Sequence, residues 1–160
     1  MNNGIIIAKD SREHDGKGWV FRPDQIKKSG KVPILGMEIK TLDAGDYSIV
    51  GAEDLVRIER KAGFSELFGN MIPVVNKERF EREMEKLRLV KHKWILIESY
   101  LCHDIMGMCP MQLRGPTSSK VFEWLSELEL EYDIHVMFVG ECGERIAKTI
   151  FQNVAKRYSL

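Results

Sequence analysis

Asp46, Glu59 and Lys61 are the residues of this 160-residue chain whose types and spacing point most directly to chemistry. Asp46 stands where one short strand-like run begins, and Glu59–Arg60–Lys61 where the next one ends. If those runs pair antiparallel, the start of one neighbours the end of the other, so the two sites come within contact distance. Residues 59 and 61 then share a strand face by the period of two. Two carboxylates converging on a hard divalent cation, with an ammonium alongside, suit phosphodiester hydrolysis. The cation takes oxygen ligands and lowers the pKa of a bound water; Lys61 either orients that nucleophile or offsets charge building on the phosphorane. A Glu-x-Lys triplet is also what an exposed strand of alternating charge looks like. The context argues otherwise. Val56 and Ile58 give the triplet a strand to end, Gly45–Asp46–Tyr47 lies one hairpin upstream, and a second charged group, Asp10–Ser11–Arg12–Glu13, closes the first strand.

The elements that must position these residues are legible in outline. Gly4–Asp10, with three consecutive Ile, reads as a buried strand. Residues 11–33 read as a long loop. Met37–Leu42, Tyr47–Val50 and Leu55–Arg60 are strand-like runs separated by turn residues, which predicts an antiparallel meander. Phe64–Phe68 predicts a short helix. Asn76 is placed to cap another, with Phe80, Met84, Leu87 and Val90 as one apolar stripe. Trp94–Glu98 reads as a strand, and Ser118 or Ser119 as the cap of a helix with Val121, Leu125 and Leu128 inward. Ile134–Val139 is a further strand, and Gly143–Tyr158 a closing helix with Ile146, Ile150, Val154 and Tyr158 on one face. The expected architecture is an α/β domain, a central mixed β-sheet with an antiparallel meander flanked by helices, spanning residues 1–160 as a single unit.

Composition sets bounds on function. Hydrophobic residues make up 44% and charged residues 30%, which is globular rather than disordered. No run approaches the roughly 20 apolar residues of a membrane helix. The opening Met1–Asn2–Asn3–Gly4 lacks a basic signal-peptide start, and Cys102, Cys109 and Cys142 form no CxxC pair, so a reduced cytoplasmic protein is expected. Cys102–His103 with Cys109 has no zinc spacing, and Met106, Met108 and Met111 beside Pro110 read as packing or loop. Gly140-x-x-Gly143 could seat a phosphate at a helix start but lacks the rest of a P-loop. Net charge is zero, but the helix around 77–93 carries Arg82, Lys86 and other cations among its glutamates, candidates for phosphate contact.

Asp10-x-Arg12–Glu13, Gly45–Asp46–Tyr47 and Ile58–Glu59–Arg60–Lys61, in that order, resemble the three signatures of the XPF/Hef-type structure-specific endonucleases, a branch of the PD-(D/E)XK nucleases. Arg79–Phe80 with its Glu-rich helix, and Trp94–Ile95–Leu96–Ile97–Glu98, resemble the helix and strand that follow in that family, and the order of elements continues to the end of the chain. The resemblance implies a restriction-endonuclease-like fold and Mg2+- or Mn2+-dependent cleavage of branched or flapped DNA. It makes Asp46 and Glu59 metal ligands and Lys61 the catalytic lysine. Asp10 and Glu13 would join the catalytic cleft, Asp10 or Glu13 near metal. Arg12 would meet a phosphate. Arg60 would lie along the nucleic acid or tie the site together through a carboxylate. Where the family usually has an aspartate, four residues after the lysine, this chain has Ser65. The 160 residues contain no helix-hairpin-helix module, so a stand-alone nuclease domain is expected. A homodimer through the C-terminal half is expected too, from the resemblance and from Phe122, Trp124 and Phe151, which lie off the apolar stripes. The rival readings are a non-catalytic DNA-binding or scaffold subunit on the same fold and an α/β interaction domain with an accidental match. Retention of Asp46, Glu59 and Lys61 favours the enzyme.

Overall fold

The computed structural model describes residues 4–13, 18–25, 30–71, 74–100 and 118–160. The Cys102–His103–Cys109 and Met106–Met111 segments lie outside the described residues. Six strands form one mixed sheet: β1 (Ile5–Asp10), β2 (Ile34–Lys40), β3 (Tyr47–Ile49), β4 (Val56–Lys61), β5 (His92–Ile97) and β6 (His135–Phe138). Their order across the sheet is β2-β1-β3-β4-β5-β6. Helices α1 (Phe64–Met71), α2 (Val74–Arg88), α3 (Ser118–Tyr132) and α4 (Gly143–Tyr158) complete the fold, with a 3-10 turn at Gly140–Cys142 before α4.

The expected mixed sheet is present, but the membership of its antiparallel part differs. β3 runs antiparallel to both β1 and β4, so the meander is β1-β3-β4. The second strand instead lies parallel to β1 on the outer edge, starting at Ile34 rather than Met37. Turn residues alone could not reveal that Ile5–Ile6–Ile7 outcompetes it for the place beside β3. Ile5 and Ile7 are buried there, while Ile6 on the other face is 39% exposed.

Apolar clusters cover the two faces of the sheet. On one, Ile7, Ile49, Ile58 and Leu96 pack with Trp19, Phe21, Ala147, Phe151 and Ala155. On the other, Phe80, Met84 and Leu87 of α2 pack with Ile95, Ile97, Leu128 and Ile134. The Phe80–Met84–Leu87–Val90 stripe is buried as the periodicity predicts. Asn76 is not its cap, because the helix starts at Val74 and the Asn76 side-chain Nδ2 donates to the Gly69 carbonyl at 2.8 Å. On α4 the buried centre is Ala147, Phe151, Val154 and Ala155, rotated from the expected stripe, whose Ile146, Ile150 and Tyr158 are only half-buried. Phe151, expected to be free for an interface, is 0% exposed. It meets Phe21 edge-on at 5.9 Å between ring centroids. Among the described residues, no helix is long and apolar enough to cross a membrane.

Phe151→Ala should therefore cost the monomer roughly 3–5 kcal/mol by urea unfolding. Phe122→Ala, at an exposed position of α3, should stay within about 0.5 kcal/mol. Equal effects would mean that Phe151 is not a core residue.

Candidate active site

The site forms where β3 and β4 meet β1. Gly45, at a φ of +75°, takes the left-handed turn that leads into Asp46. The Asp46 amide donates to the Ile58 carbonyl at 2.9 Å, and its own carbonyl accepts from the Asp10 amide at 2.8 Å. Asp46 is thus stitched to two strands before β3 begins. Tyr47 opposes Ile58 and Ser48 opposes Arg57, so Asp46, Arg57, Glu59 and Lys61 project from the same face of the sheet. That face is the one under α1 and α2.

Glu59 and Lys61 are only 8% and 4% exposed. The Lys61 ammonium donates to Glu59 Oε1 at 2.7 Å and lies 5.8 Å from the centre of the Phe80 ring. Burial pulls the lysine's pKa down, but the charge and hydrogen bond of Glu59 override it and hold the pKa above the ordinary lysine value. Lys61 is a permanent cation here. Asp46 responds in the other direction: burial first, then the adjacent Glu59 charge, raise its pKa well above the usual carboxylate range, against the Arg60 amide that donates to its Oδ2 at 2.7 Å. Asp46 Oδ1 and Glu59 Oε2 have no hydrogen-bond partner among the described residues.

An open cleft of about 280 Å³ surrounds these groups. Asp10, Arg12 and Glu13 line one wall; Glu66, Asn70, Arg79 and Glu83 line the wall formed by α1 and α2. Asp10 is 1% exposed, and its oxygens are occupied. Oδ1 accepts from the Arg12 amide at 2.7 Å and Nε at 2.9 Å, and Oδ2 accepts from Arg12 Nη2 and the Leu42 amide. Burial pushes its pKa up, but these donors prevail and hold it below the ordinary value.

The sequence matches no protein-family model, and no curated protein matches it. Its backbone does match solved structures. XPF from Aeropyrum pernix superposes on 96% of this chain with a TM-score of 0.60 at 16% identity, and the same protein in complex with DNA with a TM-score of 0.61 at 16% identity. The chain has an XPF-like nuclease fold. It covers 65% and 66% of those two chains, so about a third of each has no counterpart in the 160 residues.

Within this XPF-like fold, Asp46, Glu59, Lys61, Asp10, Glu13 and Arg12 come together in one cleft. Three expected site residues do not face it. Arg60 points to the opposite face, where its Nη1 and Nη2 donate to Glu13 and Glu98 and its guanidinium lies 5.8 Å from the Trp19 ring centre. Arg82 and Lys86 line a separate depression with Glu78, Glu81, Glu85 and Tyr132. The reason is helical phase: residues 79 and 83 border the buried Phe80–Met84 stripe on the cleft side, whereas 82 and 86 sit two steps round from it. That same phase was the available signal for Arg79 and Glu83. Glu66, one position beyond Ser65, also reaches the cleft, while its Oε2 accepts from the Ala62 amide at 2.8 Å. The Gly143 helix start is no phosphate seat, since a Cβ there would come within 2.6 Å of Trp19 and 3.0 Å of Glu98.

Among the described residues no three His, Cys, Asp or Glu side chains converge into a metal cage. Two carboxylates still fit one type of cation. Mg2+ keeps several waters and binds through one or two carboxylates plus substrate phosphates. Asp46 and Glu59, mutually repelling and each with an oxygen that has no hydrogen-bond partner among the described residues, match that donor set.

The raised Asp46 pKa carries a stability consequence. A group whose folded pKa exceeds its unfolded value contributes stability that is full below the unfolded pKa and fades as pH rises through the folded one. In EDTA, Asp46→Asn, which mimics the protonated acid, should melt increasingly above the parent as pH climbs past the usual carboxylate range. A parent that is as stable as the variant at pH 8 would refute the burial of this charge.

Proposed function

We propose that this protein is a divalent-metal-dependent endonuclease that hydrolyses DNA phosphodiester bonds. The observation that carries the reading is the cleft itself: two mutually repelling carboxylates, Asp46 and Glu59, with the buried Lys61 cation beside them. Asp46 and Glu59 would hold Mg2+ or Mn2+, which supplies water acidified for attack and neutralises phosphate oxygens. Lys61 stays protonated, so it serves as an electrostatic partner for the pentavalent phosphorane rather than as a base. Arg12, with a side chain 58% exposed, and Arg79 stand on opposite walls as anchors for the phosphates flanking the scissile bond. Because Asp46 must lose its proton to become a ligand, cation affinity rises with pH.

The neighbour in complex with DNA supports DNA as the substrate class. Branched or flapped DNA as its form, and a homodimer through the C-terminal half, are part of the proposal. The dimer rests on Phe122, 45% exposed on α3, since Phe151 belongs to the core. One observation favours a second reading, a non-catalytic DNA-binding or scaffold subunit. Asp10, which the resemblance would place near the metal, is engaged by Arg12 and the Leu42 amide rather than turned toward Asp46 and Glu59.

A panel of labelled flap, fork, four-way junction, single-stranded and duplex DNAs with Mg2+ or Mn2+ separates these readings. The parent should cut at least one substrate, and Asp46→Asn and Glu59→Gln should abolish cutting. Lys61→Met should retain DNA binding while turnover falls by about 10²–10³-fold, the loss typical of one electrostatic stabiliser. Mn2+ should raise the melting temperature of the parent and not of Asp46→Asn. A parent that binds DNA but cuts none of the panel is the scaffold. If both carboxylate variants cleave like the parent, the cleft is not the active site.

A further inference from the structure

Away from the cleft, a second cluster of chemistry-bearing side chains remains unexplained. His92 and Trp94 of β5 share a face by strand alternation, and Trp94 sits beside His135 of β6 in register. Their rings form a short column. The His92 and Trp94 centroids are 6.1 Å apart at 23° between planes, and Trp94 and His135 are 5.6 Å apart at 39°. Tyr158 of α4 extends it, 5.5 Å from His92 and hydrogen-bonded to His92 Nε2 through its hydroxyl at 2.8 Å. Lys91 caps the Tyr158 ring at 4.9 Å.

The column lies at the surface. Lys91, His135 and Arg157 are exposed, and His92, Trp94 and Tyr158 are half-buried. Lys91 and Arg157 bring positive charge to it. The His92 imidazole is pushed toward its neutral form by burial and then by its neighbours, Arg157 and Lys91 foremost. The carboxylate beside His135, Asp133, is held by Lys93 at 3.0 Å. Rings beside the Lys91 and Arg157 cations suit an anionic chain that carries flat bases. Stacking on each base adds to phosphate attraction, whatever the sequence.

We propose that His92, Trp94, His135 and Tyr158, with Lys91 and Arg157, form a second nucleic-acid contact that stacks unpaired bases of a single-stranded DNA segment. The reading rests on the nuclease proposal for its substrate class. The register fixes where this platform stands. His92 pairs with Val56 at the start of β4, whereas Lys61 ends that strand, so the platform lies roughly 17 Å along the strand from Lys61, at about 3.3 Å per residue. It is also on the opposite face of the sheet, because Trp94 pairs with Ile58 rather than with Glu59. A strand bound there leaves the cleft free. The arrangement selects for DNA with an unpaired arm long enough to wrap the sheet edge.

Binding of a short fluorescein-labelled oligothymidine, followed by anisotropy in EDTA, tests the platform without reading cleavage. The parent should bind. Lys91→Ala with Arg157→Ala should weaken binding about tenfold and make the log–log salt dependence shallower by about 1.4, near 0.7 for each phosphate that is no longer neutralised. His135→Ala, an exposed position, should weaken it at least about fivefold by removing a stacking ring, and Trp94→Phe should restore most of what Trp94→Ala loses. Thermal melts confirm that each variant is folded. A parent that does not bind the oligothymidine, or variants with parental affinity and slope, would overturn the proposal. So would variants that break a dimer in light scattering at unchanged affinity, which would make this a surface between copies. Because cleavage is not measured, an inactive cleft leaves the outcome intact and is told apart from a failed platform.

Discussion

Burying Glu59 and Lys61 in a central strand is the constraint on which the rest of the structure depends. An isolated charge in such a place is heavily penalised, so each must find a partner or neutralise. Lys61 takes Glu59, and Asp46, buried beside the Glu59 charge, has its pKa raised well above the usual carboxylate range. One ammonium is left between two carboxylates, the arrangement on which the proposed metal site rests. The neighbouring elements hold that frustration in place: Asp46 is tied by its backbone to β1 and β4, and Phe80 of α2 closes over the ammonium.

The strand also divides its work by parity. Odd positions 57, 59 and 61 face α1 and α2; Arg60 faces away and is gripped by Glu13 and Glu98, with Trp19 beneath it. Trp19 donates its indole N–H to Glu98 at 2.6 Å and its amide to the Tyr47 hydroxyl at 2.7 Å. This polar girdle reaches from the loop after β1 to the end of β5, so the face that carries the cleft is braced from behind. Arg60 meets carboxylates there, in keeping with one of the two roles expected for it, and Asp10 is held by Arg12 and the Leu42 amide.

Where the sequence was legible, a short-range pattern carried the information. The convergence of Asp46 with Glu59 and Lys61 followed from hairpin pairing and the period of two, and the buried face of α2 from its period of 3.6. Illegible features were set by competition between distant segments. The place of β1 between β2 and β3 depends on which of two distant segments pairs with β3. The burial of Phe151 depends on Phe21, which arrives from a loop with no periodicity. Whether Asp10 is a ligand or a brace turned on the reach of the Arg12 side chain and the Leu42 amide, which spacing does not encode. Arg79 and Glu83 could have been found from helical phase; Glu66 had no such signal.

Arg60 donates its main-chain N–H to Asp46 Oδ2, beyond the register pairs of β3 with β4. One amide proton is thereby wired to the carboxylate whose charge state governs the site. Its chemical shift and solvent-exchange rate are a spectator's record of whether Asp46 carries a proton, a cation or neither. The opposite-face anchoring of the Arg60 side chain keeps that witness still while the electrostatics beside it change.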